Sequence, residues 1–236
     1  MNGLILHCGA EKVSREELRA VDTPRRTKTW IPVSHYDCAS LIAEEASRRG
    51  MEITSEEYGL SANFSKMFGV LKFKCEGKEM GKCLGIRNSL DKSLSLGLTC
   101  GYRIFVCDNL AFGGEQTIQR RHTSGIDIES LIPKAFDNIG HRYIKLQKDI
   151  DKLKVTMITV DDARILTCIV GESNFIRHSD VITVLNSFQN PTYEEFSEKT
   201  KWSLYNSFTE IAQKYSPAKA DQCYRGLARM FNLAGE

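Results

Sequence analysis

Two clusters of ligating or reactive side chains stand out in residues 84–122: Arg87-Asn88-Ser89 with Asp91 and Lys92, and Cys107-Asp108-Asn109. Each stands where an apolar, β-type run ends. Polar groups at strand ends are held by a rigid sheet without being consumed by its core, a common setting for binding or reaction. Asp91, Asp108 and Glu115, with Asn88, Asn109 and His122, offer the oxygen-rich set that a hard divalent cation such as Mg²⁺ takes. That set would support phosphoryl hydrolysis if the two strand ends met. The competing reading is structural: Asn, Ser and Asp at strand ends close Asx turns on the backbone, and these spacings match no ligand motif. Cys107 beside Asp108, with His122 available, has the parts of a histidine-assisted thiol nucleophile. A cysteine ending an apolar strand belongs more often to the core. His7, His141 and His178 have no companions at ligand spacing, and His35 reads as a surface or packing residue after a helix cap.

A third constellation is electrostatic. Arg25, Arg26 and Lys28 precede Trp30; Arg120 and Arg121 precede His122; Lys66, Lys72 and Lys74 line one stretch between them. With Phe64, Phe68 and Tyr102, these would make a cationic groove with stacking surfaces for single-stranded nucleic acid. Phosphate contacts are expected from Arg87, Lys92, Arg103, Arg120 and Arg121. The alternative is a solvated edge strand whose charges prevent edge pairing.

The 236 residues carry a net charge of +2, with 42% hydrophobic and 26% charged residues. That is ordinary globular composition, enough for a sizeable core, and too little net charge for whole-domain basicity to announce a nucleic-acid protein. The eight cysteines are scattered with no CxxC pair, so zinc-ribbon and thioredoxin-type sites lack their signature and buried, reduced thiols are expected. The N-terminus lacks a basic n-region and a long apolar run, and no segment reaches the ~20 apolar residues of a membrane span. The expectation is a soluble protein of a reducing cytoplasm with no membrane partner.

The elements that would position these residues follow from pattern. Residues 1–28 read as an arm or linker. Ser34 with Asp37 forms a capping-box-like start to a helix that Gly50 ends. Residues 51–60, 67–74, 82–88 and 96–107 read as strands with tight turns between them, an antiparallel meander. Gly113-Gly114 reads as a turn into a short edge strand at 116–123. Ile132, Phe136, Ile139, Tyr143, Leu146, Ile150 and Leu153 then recur at heptad spacing, which fits a long helix lying across the sheet, begun near Pro133, or an oligomer contact. In the last third, helices are expected from Asp161-Asp162, from a Ser179 cap, and from a Thr192–Glu195 box before Trp202; Ser216-Pro217 ends that one, and a final helix passes through Tyr224. The fold class is α+β: an antiparallel β-meander covered by a long helix, with a helical C-terminal third. Residues 29–160 form the core domain and 161–236 a helical region packed on it.

The order Thr29-Trp30-Ile31-Pro32-Val33-Ser34-His35, then Leu84-Gly85-Ile86-Arg87-Asn88-Ser89 with Asp91-Lys92-Ser93, then Arg103-Ile104-Phe105-Val106-Cys107-Asp108-Asn109-Leu110, resembles the phage- and plasmid-borne family catalogued as domain of unknown function nine-three-two. Trp202, Tyr205-Asn206 and Phe208-Thr209-Glu210 look like its C-terminal signature. The resemblance implies a setting, a bacterial cytoplasm and a mobile element with genes of DNA metabolism or counter-defence, and no particular activity. The meander with its covering helix also looks like the core of single-strand annealing proteins of the Rad-fifty-two type, a likeness of fold that does not fix function. The leading expectation is a non-enzymatic accessory protein that binds single-stranded nucleic acid and forms a homo-oligomer, with no cofactor. The alternatives are a counter-defence inhibitor that clasps a host protein, anchored by residues such as Trp202 or Tyr143, and a Mg²⁺-dependent nuclease or phosphohydrolase using Asp91, Asp108 and Glu115.

Overall fold

A computed structural model describes residues 11–74, 80–104, 110–137 and 139–233. Six antiparallel strands lie in sequence order: β1 (Glu11–Val13), β2 (Ile53–Leu60), β3 (Lys66–Phe73), β4 (Met80–Ser89), β5 (Leu96–Ile104) and β6 (Leu110–Arg120). Seven α-helices accompany them among the described residues: α1 (His35–Arg48), α2 (Ile128–Asp137), α3 (Ile139–Val155), α4 (Val160–Glu172), α5 (Val181–Gln189), α6 (Lys201–Ala212) and α7 (Pro217–Met230). This is the α+β meander with helices in its C-terminal part that the apolar pattern implies.

Helix α1 starts where the Ser34 hydroxyl accepts the Asp37 amide at 2.9 Å, and Gly50, with φ +72°, takes the left-handed position just past its end. Side chains of β4 alternate between two helical layers. Asn88 meets α1, and Lys82 lies 5.3 Å from the Tyr143 ring of α3. On the other face Arg87 meets Asp221 of α7, and a Cβ at Gly85 would fall 2.9 Å from the Phe112 ring, which packs edge-on against Tyr224 of α7. The sheet is thus covered on both faces, and the helical third is continuous with its core.

Several sequence expectations are corrected. Residues 11–20 are no free arm: Glu11–Val13 pairs with β2, and Leu18 is buried. Gly113-Gly114 is no turn. Between the pairs Gly101↔Phe112 and Thr99↔Gln116 the register slips, so Gly113, Gly114 and Glu115 face Cys100 alone, and the glycines serve a bulge inside β6. The covering segment is helical over Ile128–Asp137 and Ile139–Val155, the residues described on either side of position 138. Its start is Asp127, whose carboxylate accepts the Ser130 amide, while Pro133 sits inside α2. The seam residues from Ile132 to Leu153 are nevertheless all buried within this chain. Helix α5 follows a 3-10 turn and has no Ser179 cap; α6 is capped by Thr200, not by a Thr192–Glu195 box; and Pro217 opens α7. Cys38, Cys83, Cys100 and Cys223 are buried free thiols, whereas Cys168 is exposed.

Candidate nucleic-acid interface

The antiparallel order decides which residues can meet. The β2–β3 turn (61–65), the β4–β5 turn (90–95) and the end of β6 lie at one end of the sheet, with Leu96 opposite Arg120 and Lys66 opposite Ser89. The Leu90 amide donates to the Ser65 carbonyl at 2.7 Å, and the Ser65 hydroxyl to Asp91 at 3.0 Å, tying the two turns together. The segment before α1 closes the same end: Trp30 bridges Thr123, the Ile31 amide donates to the His122 carbonyl at 3.1 Å, and the Thr27 amide to the Trp30 carbonyl at 2.8 Å.

A buried line of hydrogen bonds runs beneath these loops. His122 Nδ1 accepts the Val33 amide at 3.3 Å; Asn88 Nδ2 donates to the Val33 carbonyl at 2.9 Å and to His35 Nδ1 at 3.0 Å; His35 Nε2 then donates to the Phe64 carbonyl at 3.1 Å. These partners assign the His35 proton to Nε2 and keep the ring neutral. Burial pushes its pKa down to about 4, and burial lowers that of His122 as well. Asn88 and Ser89 are wholly buried, with the Ser89 hydroxyl donating to the Leu94 carbonyl and accepting its amide. The Ser89 hydroxyl is spent on shaping the turn, and the Asn88 amide nitrogen on Val33 and His35. Burial raises the Asp91 pKa, but hydrogen bonds from Ser93 and Ser65 and the nearby Lys66 outweigh it, holding the carboxyl at about 2.

Above this framework stand six exposed cations: Arg25, Arg26, Lys28, Lys92, Arg120 and Arg121. None takes part in a salt bridge among the described residues. The Lys92 ammonium sits 4.9 Å from the Trp30 ring centroid. Phe64 remains 44% exposed, and both Phe64 (φ +54°) and Lys92 (φ +64°) hold left-handed backbone. Such conformations are costly for side-chain-bearing residues and cluster at functional sites.

Other expected contacts are placed elsewhere. Arg87 is 6% exposed; its guanidinium lies over Gly97, where a Cβ would come within 2.7 Å of Nε, and donates to Asp221 at 2.8 Å and Ser95 at 3.2 Å. It braces α7 and is not open to a phosphate. Arg103 pairs with Gly81 and Leu110, seven residues along β5 from Leu96, about 23 Å away at the other end of the sheet; its side chain is outside the described residues. Cys107, Asp108 and Asn109 also lie outside them, as does the Glu115 side chain. The flanking Ile104 and Leu110 are at the end of the sheet opposite Ser89. Among the described residues no three His, Cys, Asp or Glu side chains gather as metal ligands. Lys66 pairs with Asp91, Lys72 with Glu57 and Lys74 with Glu52, and Tyr102 is buried against Tyr143. Sequence reading missed His35 as the hub of the buried line and Asp221 as the partner of Arg87; neither spacing carries a local signal.

Comparison with family models, with curated proteins and with solved structures returned no match.

Proposed function

We propose that the chain binds single-stranded nucleic acid at this end of the sheet, without catalysing a reaction on it. Arg25, Arg26, Lys28, Lys92, Arg120 and Arg121 contact phosphates, and a base stacks on the exposed Phe64 ring, since stacking on an aromatic face is available to any base of an unpaired strand. The observation that carries this reading is that six exposed cations at one end of the sheet, which also carries the exposed Phe64, take part in no salt bridge among the described residues. Fluorescence anisotropy of a labelled single strand over a salt series tests it. Arg120→Ala with Arg121→Ala is expected to weaken binding across sequences and to flatten the log–log salt slope by about 1.4, from ~0.7 per lost phosphate contact on a single strand. Unchanged affinity and slope would remove the patch.

A second reading, an inhibitor or oligomer acting through protein contact, draws on different residues. Trp202 and Tyr143 are buried and unavailable as anchors, but Ile165, Ile169 and Ile182 are exposed on α4 and α5. Co-purification of a defined protein, lost on Ile165→Lys with Ile182→Lys at unchanged thermal stability, would favour it.

A further inference from the structure

Helix α6 is almost wholly buried, yet one of its faces is polar: Ser203, Asn206, Ser207 and Glu210 follow at i, i+3, i+4 and i+7. Burying such groups costs free energy unless they are used. Part of the use is internal. The Ser203 hydroxyl donates to the Glu198 carbonyl, Asn206 Nδ2 to the Trp202 carbonyl at 2.9 Å, and the Ser207 hydroxyl to the Ser203 carbonyl at 3.1 Å. Beyond Ser203, the same face opens into a cavity of about 220 Å³ whose walls include Tyr193, Phe196, Asn206, Ser207, Glu210 and Lys214.

The chemistry of these walls is directional. Glu210 accepts the Ser187 hydroxyl at 2.7 Å on Oε2, and its Oε1 has no partner among the described residues. Ser207 has given its proton to the helix and presents only lone pairs. The buried end therefore accepts hydrogen bonds. Lys214, one turn further along the chain, is exposed, and neither it nor Glu210 takes part in a salt bridge among the described residues. Tyr193 and Phe196 meet edge to face at 6.3 Å and supply an aromatic wall. An engineered cavity of ~150 Å³ admits benzene, so this one has room for one small ring or side chain.

We propose that this cavity binds a small ligand with an amine at one end and an anionic group at the other, the amine donating to Glu210 and the anion lying against Lys214. Two sources share that chemistry: a nucleoside monophosphate, whose amine-bearing base enters the cavity while its sugar and phosphate lie outside beside the exposed Lys214, and a free α-amino acid. The site shares no residue with the cationic end of the sheet, so it stands or falls separately from the nucleic-acid reading.

Isothermal titration of the full chain with adenosine, cytidine and uridine monophosphates, and separately with phenylalanine and glutamine, tests the proposal. Saturable binding of adenosine or cytidine monophosphate but not of uridine monophosphate identifies the nucleotide; saturable binding of an amino acid with no nucleotide bound identifies the other source. In either case Glu210→Gln is expected to weaken binding tenfold or more, and Lys214→Ala, at an exposed position that folding does not need, to weaken it severalfold. The Arg120→Ala and Arg121→Ala protein should bind as the parent does. No saturable binding in any arm, equal binding of uridine monophosphate, or binding unchanged in the Lys214 variant would overturn it.

Discussion

His35 ties together the buried framework beneath the candidate interface. Its ring joins α1, the end of β4 and the turn carrying Phe64, and it can do so only while neutral, because Nδ1 must accept from Asn88. Its pKa, about 4 in the folded chain, lies below the ordinary value of 6.5. The unfolded chain therefore binds more protons between those values, and stability falls as pH drops from about 6.5 toward 4. Full protonation would cost about 3 kcal/mol. Thermal unfolding followed from pH 7.5 to 4.5 should show a steep loss in the parent and a shallower one in His35→Gln; equal slopes would show that other groups set the acid limit. The charges around this ring, His122 and Asp91, oppose each other: His122 lowers its pKa and Asp91 raises it, with burial as the larger cause.

At the scale of elements, Arg87 shows what a buried ion pair does for a sheet. It crosses Gly97 and meets Asp221, which also accepts from Arg225 at 2.9 Å. Removing one partner of a buried pair is expensive, so Arg87→Ala should cost about 3 kcal/mol, read as a lower denaturant midpoint. Residues 87 and 221 lie far apart in the chain, and no local pattern foretells their meeting. The strands were legible because alternation of apolar and polar residues is local, as was the Ser34 cap. The three-residue β1 is too short to carry a period, and the Gly113-Gly114 pair reads equally as a turn or a bulge. For the site, the basic residues could be seen in sequence but not their convergence. Strand direction, which sets Arg120 beside Leu96 and Arg103 at the far end, is a property of the assembled sheet.

For the whole molecule, the two covered faces leave the ends of the sheet as the places where strand-borne side chains reach solvent together. One end carries the cations, Phe64 and the buried histidines; the helical third adds a separate polar cavity and braces the sheet through α7. The left-handed backbone at Lys92 has a further consequence for how this protein would respond to improvement. An L-residue in that conformation gives up on the order of 1 kcal/mol that glycine would not. Lys92→Gly should therefore raise the melting temperature or leave it unchanged, although it deletes the ammonium over Trp30, and it should weaken strand binding at the same time. A search for thermostable variants would drift toward that substitution and lose the proposed strand binding, unless binding were selected alongside heat resistance.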